Sequence, residues 1–259
     1  MENKDDVHVF LNKVREYVKL CGEQLIERYN FQKTALKKQF PLLMSGMWNG
    51  SEKLSMNDSV ESVISQGTLG IGFIGLAEAL IVLTGKHHGE SSESQELGLE
   101  IVTTINNVVQ NLKQESGLNF ATLATPAEGL SGKFTIKDRK QFGIIPGVTD
   151  KDYYTNSNHV PVYYKCTPKH KAEIEGPYHR LTTGGHIFYV EADADITKNP
   201  EAVDTVVRIG IKNNCGYISI NHFQSRCPIC NYESNEKGVD ECPYCKVRMD
   251  ILQRITGLS

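Results

Sequence analysis

Residues 227–245, CPICNYESNEKGVDECPYC, carry four cysteines in two Cys-Pro-x-Cys pairs. Two residues between paired cysteines let both sulfurs face one ion, so two pairs complete a tetrahedral shell of four thiolates. Thiolates suit zinc, and a closed shell leaves no position for a substrate water. An iron–sulfur cluster and two unrelated redox pairs are the alternatives. We therefore predict a zinc ribbon holding a structural metal, with the ligands Cys227, Cys230, Cys242 and Cys245.

The charges around this stretch are balanced, which bears on the partners of the ribbon. A face that binds phosphates would show an excess of Lys and Arg. Here Arg226, Lys237, Lys246 and Arg248 are matched by Glu233, Glu236, Asp240, Glu241 and Asp250. We expect no direct binding of nucleic acid.

The composition is that of an ordinary globular chain. Its 259 residues allow one large or two modest domains, and 39% of them are hydrophobic. The net charge of -3 gives no general attraction to nucleic acid or to anionic membranes. The N-terminus lacks the apolar segment of a signal peptide, and the apolar residues 71–83 are too few to span a bilayer. The other three cysteines are scattered, so the pattern suits a metal site in a reducing compartment and not a disulfide framework. We therefore expect the protein to be located in the cytoplasm.

Helices are indicated by apolar residues at spacings of three and four. The first is predicted over residues 7–25, with Cys21 on its apolar face as a small core residue. Residues 67–75 are predicted to form a glycine-rich turn that leads into a helix ending near residues 84–85. Ser94 is the predicted N-cap of a second long helix, and Pro200 suits the first turn of a helix over residues 200–213.

Strands are predicted between these helices. Residues 118–124 alternate as a strand does and lead directly into a turn. Further strands are predicted over residues 160–164, 185–191 and 217–220. Since helices and strands alternate, the fold class is α/β.

The residues after the ribbon carry a family resemblance. Arg254-Ile255-Thr256-Gly257 is similar to the Arg-x-x-Gly-Tyr motif that anaerobic (class III) ribonucleoside-triphosphate reductases, members of the glycyl radical enzyme family, place just after a zinc ribbon. Glycine suits a backbone radical because a side chain would oppose planarity and block close approach. Leu258 stands where the family has tyrosine, so a glycine in a frayed chain end is the alternative to a radical at Gly257. Other blocks that resemble the C-terminal part of these reductases are residues 67–78, 83–90, 119–132, 153–164 and 216–222.

The resemblance implies a fold and a chemistry. Residues 1–222 would form the C-terminal half of a ten-stranded α/β barrel, residues 223–250 the zinc ribbon and residues 251–259 a truncated glycyl-radical loop. In the family, a thiyl radical removes the 3′ hydrogen of a ribonucleoside triphosphate and the 2′ hydroxyl leaves as water. Formate commonly supplies the electrons, an activase that uses S-adenosylmethionine generates the glycyl radical, and the complete enzyme is expected to be a homodimer.

Two turns are candidate substrate sites because a triphosphate is bound by backbone N–H groups. The first follows the strand over residues 118–124 and contributes Thr125, Ala127, Glu128 and Gly129, and the second contributes Gly67 and Thr68. Tight turns at strand ends are the alternative in both places. The pair His87 and His88 has no cysteine nearby, so a solvated or hydrogen-bonded loop is favoured over a metal site.

The resemblance also implies that the family's N-terminal half, with its thiyl-radical cysteine, is missing. We therefore expect that this chain alone cannot reduce ribonucleotides. It would be either a fragment from a split or interrupted gene or one partner of a two-piece enzyme whose N-terminal half is encoded separately. A non-enzymatic zinc-ribbon binding module and a decayed remnant are the competing hypotheses. A relative of the formate lyases is disfavoured because those glycyl radical enzymes generally lack the four-cysteine ribbon.

Overall fold

The structure is a computed structural model that describes residues 6–42, 44–192, 195–236 and 238–252. The chain divides into two compact units. The first comprises residues 1–73, 99–123 and 181–185, and the second comprises residues 74–98, 124–180 and 186–259. The helices are α1 Val7–Gln32, α2 Glu61–Ile64, α3 Leu76–Thr84, α4 Ser92–Ser116, α5 Glu128–Phe142, α6 Pro168–His179 and α7 Pro200–Lys212. The strands are β1 Thr68–Phe73, β2 Asn119–Ala124, β3 Phe188–Ala192, β4 Ile218–His222, β5 Gln224–Arg226, β6 Glu233–Ser234 and β7 Asp250–Leu252.

Helix α1 opens the first unit and confirms the first predicted helix. Its N-cap is Asp6, whose carboxylate accepts a hydrogen bond from the N–H of Val9 at 3.0 Å. Gly22 is buried and lies so close to Leu112 that an added Cβ would stand 2.4 Å from the leucine Cδ1. Cys21 is exposed, so its prediction as a core residue was wrong. It precedes Gly22 by one position, and one position turns a side chain by about 100° around the helix.

Strands β1 and β2 form a two-stranded sheet in the first unit. The prediction of a glycine-rich turn over residues 67–75 was wrong, because β1 occupies most of it. Gly70 lies inside β1, where an added Cβ would contact the side chain of Leu123 at 3.8 Å. The strand predicted over residues 118–124 is confirmed as β2.

The second unit contains a β-α-β arrangement. Strands β3 and β4 pair in parallel, with Phe188 opposite Ile218, and α7 lies between them in the chain. The helix predicted over residues 200–213 and the strand predicted over residues 217–220 are confirmed, while the strand predicted at 185–191 starts only at Phe188. Helix α6 approaches the end of α7 closely, since an added Cβ on Gly176 would stand 2.0 Å from the carbonyl oxygen of Asn213.

Two further predictions for the second unit were wrong. Residues 160–164 form no strand: the N–H of Tyr164 donates to the carbonyl of Pro161 at 2.9 Å and closes a turn. The N–H of Val160 donates to Glu175 instead of to a neighbouring strand. Ser94 lies inside α4, and the residue that caps the helix is Ser91, whose hydroxyl accepts from the N–H of Ser94 at 3.2 Å.

The last part of the second unit is a small three-stranded antiparallel sheet in the order β6-β5-β7. Arg226 of β5 pairs with Glu233 on one side and with Asp250 on the other. Helices and strands alternate before this sheet, which confirms the α/β class. Among the described residues, no helix combines the length and apolar character needed to cross a bilayer.

Candidate metal centre and buried polar segment

The two cysteine pairs form two knuckles with the same backbone geometry. In the first, the N–H of Cys227 donates to Tyr232 at 2.8 Å and its carbonyl accepts from Asn231 at 3.0 Å. In the second, the N–H of Cys242 donates to Val247 at 2.8 Å and its carbonyl accepts from Lys246 at 3.0 Å. Residues 231 and 246 both adopt the left-handed conformation, with φ of 60° and 55°. Each turn is thus held by the backbone and directs both sulfurs of its pair to one side.

The four sulfur atoms lie together. All of them are within 4.8 Å of one another, and the sulfurs of Cys230 and Cys242 are 3.6 Å apart. Zn–S bonds of about 2.3 Å in a tetrahedron place sulfurs about 3.8 Å apart. Cys227 and Cys242 are buried and pack with Met249 in a small core. The four predicted cysteines therefore lie in one group that could hold a metal ion, and its geometry fits zinc.

The electrostatics of the four thiols favour a bound cation. Hydrogen bonding from the backbone N–H of Cys230 lowers the pKa of the Cys227 thiol to about 7. The neighbouring sulfur of Cys230 raises the pKa of the Cys245 thiol to about 12. Four thiolates this close repel one another unless a positive ion lies between them. The group is therefore suited to a divalent metal ion, which would hold all four sulfurs in the charged form.

A second site, which the sequence did not predict, is the buried polar segment, residues 154–160. Thr155 donates twice to one carboxylate oxygen of Glu78, from its N–H at 2.9 Å and from its hydroxyl at 2.7 Å. Burial raises the pKa of Glu78 despite these hydrogen bonds. Ser157 is a non-glycine residue at φ 42°. Strained backbone and buried polar groups in one segment are typical of functional sites.

The same segment reaches three other parts of the second unit. Asn156 accepts a hydrogen bond from the N–H of Ala127 at 3.1 Å. The carbonyl of Asn158 lies 3.0 Å from the imidazole of His88. His159 lies 3.2 Å from the carboxylate of Glu175, which is fully buried. The polar segment therefore fixes the start of α5, the His87-His88 loop and α6. Only the structure shows that this polar segment is buried.

The predicted substrate residues belong to two different units of the chain. Ala127 is buried, Glu128 and Gly129 are the first two residues of α5, and Thr125 lies three positions before Glu128. An added Cβ on Gly129 would meet no atom within 4 Å, so the space beside its α-carbon is open. Gly67 and Thr68 belong to the first unit: the N–H of Gly67 donates to Ile64 at 2.9 Å, and the Thr68 hydroxyl accepts from Asn119 at 2.9 Å.

The structure also places the two histidines of the loop. His87 and His88 are both buried, so the loop is hydrogen-bonded and not solvated. The N–H of Gly89 donates to His87 Nδ1 at 3.1 Å, and burial lowers the pKa of His88 to about 4. The four cysteines are the one group of at least three metal-ligating side chains in the described part of the chain. The radical candidate Gly257 lies outside the described residues.

Comparison with solved structures identifies the fold. A structure titled "Anaerobic ribonucleotide reductase" matches 99% of this chain and 38% of its own, with a TM-score of 0.77 and 20% identity. The anaerobic ribonucleotide reductase from Thermotoga maritima with glycerol in the active site matches 98% of this chain and 38% of its own, with a TM-score of 0.73 and 20% identity. The fold is that of part of an anaerobic ribonucleotide reductase, as the resemblance implied.

Sequence comparison then gives the family. The model of the family "Anaerobic ribonucleoside-triphosphate reductase" matches residues 1–258. The reductases of Salmonella typhimurium and Escherichia coli are 31% and 30% identical to the chain over 269 residues, which is 99% of the chain and 37% of each relative. The reductase of Enterobacteria phage T4 is 31% identical over 85% of the chain and 35% of its own length. The chain belongs to the anaerobic ribonucleoside-triphosphate reductase family and corresponds to its C-terminal part.

Proposed function

We propose that this chain supplies the C-terminal part of an enzyme that reduces ribonucleoside triphosphates to deoxyribonucleoside triphosphates for DNA synthesis. The observation that carries the proposal is the family match over residues 1–258. Because the chain spans 37% of the length of the Salmonella typhimurium and Escherichia coli reductases, it acts together with the N-terminal part of a reductase, as a homodimer when complete. Two cysteine pairs that suit a metal, beside three scattered cysteines, fit a reducing compartment, so the proposed location is the cytoplasm.

The zinc ribbon has a structural role in this proposal. Its four sulfurs would hold zinc in a closed shell, so the metal offers no position for water or substrate. Strand β7 ends at Leu252, five residues before Gly257 in the chain. By stabilising the ribbon, the metal would therefore fix the position of β7, after which the segment that carries Gly257 begins.

Gly257 would carry the radical in the active enzyme. An activating protein that uses S-adenosylmethionine would remove one hydrogen atom from its α-carbon, and the radical would then pass to a cysteine of the N-terminal part. That thiyl radical would take the 3′ hydrogen of the ribose, and formate would supply the electrons. The sequence of residues 254–257 supports this role.

The start of α5 is the proposed triphosphate site. The first N–H groups of a helix have no partner within the helix, and the helix dipole favours an anion there. Gly129 leaves open space beside these groups. The N–H of Ala127 already donates to Asn156, so Glu128 and Gly129 are the residues whose N–H groups would contact phosphate, beside Thr125. Gly67 and Thr68 form a second, weaker candidate because the N–H of Gly67 is already bonded.

Reconstitution tests the proposed function. The chain would be combined with zinc, an activating protein, S-adenosylmethionine, formate and an Escherichia coli reductase shortened by the part that this chain matches. We expect deoxyribonucleotide formation from the combination and none from either part alone. A Gly257→Ala variant should abolish both turnover and the electron paramagnetic resonance signal of the radical. Turnover by the isolated chain, or an unchanged radical signal in the variant, would contradict the proposal.

A further inference from the structure

The carboxylate of Glu175, in α6, is fully buried among three donor or charged groups. One of its oxygens accepts a hydrogen bond from the N–H of Val160 at 2.8 Å and lies 3.7 Å from the ammonium of Lys171. The other oxygen lies 3.2 Å from Nδ1 of His159. Burial raises the pKa of Glu175, but Lys171, His159 and the N–H of Val160 together lower it by more, so the carboxylate is charged at neutral pH.

This charged carboxylate fixes the tautomer of His159. A carboxylate has no hydrogen to donate, so Nδ1 of His159 carries the hydrogen that the two groups share. In the neutral imidazole, Nε2 is then the nitrogen with the free lone pair. An imidazole that is oriented in this way by an acidic group is a common device for moving protons in active sites.

The imidazole is accessible, whereas the carboxylate is not. The side chain of His159 is 15% exposed and that of Glu175 is 0% exposed. Within the described part of the chain, the hydrogen bond to Glu175 is the one that the His159 ring forms. Nε2 can therefore exchange a proton with a bound molecule while Nδ1 stays bonded.

A turn connects His159 to the proposed triphosphate site. The N–H of His159 donates to the carbonyl of Asn156 at 3.1 Å, which keeps the two α-carbons within about 7 Å. The side chain of Asn156 in turn accepts from the N–H of Ala127, the residue before α5. The imidazole therefore lies within reach of the ribose of a nucleotide whose phosphates contact the start of α5.

We infer that His159 is a catalytic residue that moves one proton between the two ribose hydroxyls, and that Glu175 positions it. The inference rests on the proposed function. After the 3′ hydrogen atom has been removed, neutral Nε2 takes the proton of the 3′ hydroxyl and gives it to the 2′ hydroxyl. The C2′–O bond breaks and its electron pair leaves with water, a carbonyl forms at C3′, and the unpaired electron moves to C2′. His159 ends the step neutral, so the step consumes no further reactant.

Variants of the reconstituted enzyme test the inference. His159→Asn keeps an N–H group near the position of Nδ1, for the bond to Glu175, but removes Nε2. It should lower deoxyribonucleotide formation about 100-fold or more, while the radical signal and the binding of inorganic tripolyphosphate stay as in the wild type. His170→Gln is the control: Nε2 of His170 lies 2.9 Å from the carbonyl of Gly89, to which a glutamine amide can also donate, so turnover should be unchanged. Circular dichroism checks that each variant is folded.

Glu175→Gln separates positioning from a role in stability. It removes the charge that holds the Nδ1 hydrogen, so it should lower turnover when His159 is present. In His159→Asn it should have little further effect, because Glu175 acts through His159. Full turnover in His159→Asn, or losses that add in the double variant, would overturn the inference and leave the proposed function intact. A wild-type combination without turnover would overturn the proposed function, and this inference with it.

Discussion

The side-chain oxygen of Asn156 accepts a hydrogen bond from the backbone N–H of Ala127 at 3.1 Å, and both residues are buried. Ala127 directly precedes α5, so its N–H group would otherwise lack a partner. The same Asn156 forms a backbone bridge with Ile74, which lies two positions before the start of α3. One asparagine therefore holds the turn proposed to bind triphosphate against the segment that leads into α3, in the same unit.

Replacing this asparagine should loosen the turn. Asn156→Ala leaves the N–H of Ala127 buried without a partner, which costs about 1–3 kcal/mol of unfolding free energy. We expect faster hydrogen exchange at Ala127 and weaker binding of inorganic tripolyphosphate. Asn221→Ala is a matched control, since Asn221 is similarly buried and donates to Glu191 instead. Unchanged exchange at Ala127 in Asn156→Ala would show that the hydrogen bond does not hold the turn.

Gly176 is required by the close approach of α6 to the end of α7. An alanine Cβ there would stand 2.0 Å from a backbone oxygen of Asn213, which cannot rotate away as a side chain would. Gly176→Ala should therefore destabilise the second unit by about 3 kcal/mol or more in urea unfolding. Gly129→Ala, in the first turn of α5, adds its Cβ in open space and should be neutral or slightly stabilising. Equal stability of the two variants would contradict this packing.

His88 should make stability depend on pH. Burial lowers its pKa to about 4 from 6.5, so the folded state binds fewer protons than the unfolded state between these values. The contribution of neutral His88 to the free energy of unfolding is therefore fully present above pH 6.5 and is lost as the pH falls towards 4. At pH 5, His88 should account for a loss of about 2 kcal/mol relative to neutral pH. Urea unfolding at pH 7.5 and pH 5 should show a smaller loss in His88→Gln than in the wild type, while a variant at exposed His8 should match the wild type.

The sequence predicted elements whose pattern is local. Helix α1, helix α7 and strands β2 and β4 follow from apolar spacing, and the metal group follows from cysteine spacing. The errors arise where distant residues decide the outcome. Strand β1 contains glycines, whose low strand propensity favours a turn. In the structure β1 nevertheless pairs with β2, and its Gly70 lies against Leu123 of β2.

The burial of the polar segment could not be predicted from the sequence, for the same reason. Its residues are polar and precede a proline, which is the signal of a surface loop. Its partners Glu78, Ala127 and Glu175 lie between 15 and 77 positions away in the chain. No local pattern reveals such contacts, so only the structure shows that the segment is buried and which residues it contacts.

Metal content tests the central claim most directly, namely that four cysteines form one structural zinc site. Protein purified without added metal would be measured by inductively coupled plasma mass spectrometry, with hydrogen exchange of β5, β6 and β7 recorded before and after removal of metal by a chelator. We predict one zinc ion per chain, less in Cys242→Ser, and loss of protection in these strands when zinc is removed. Protein without stoichiometric metal whose strands remain protected would contradict the account.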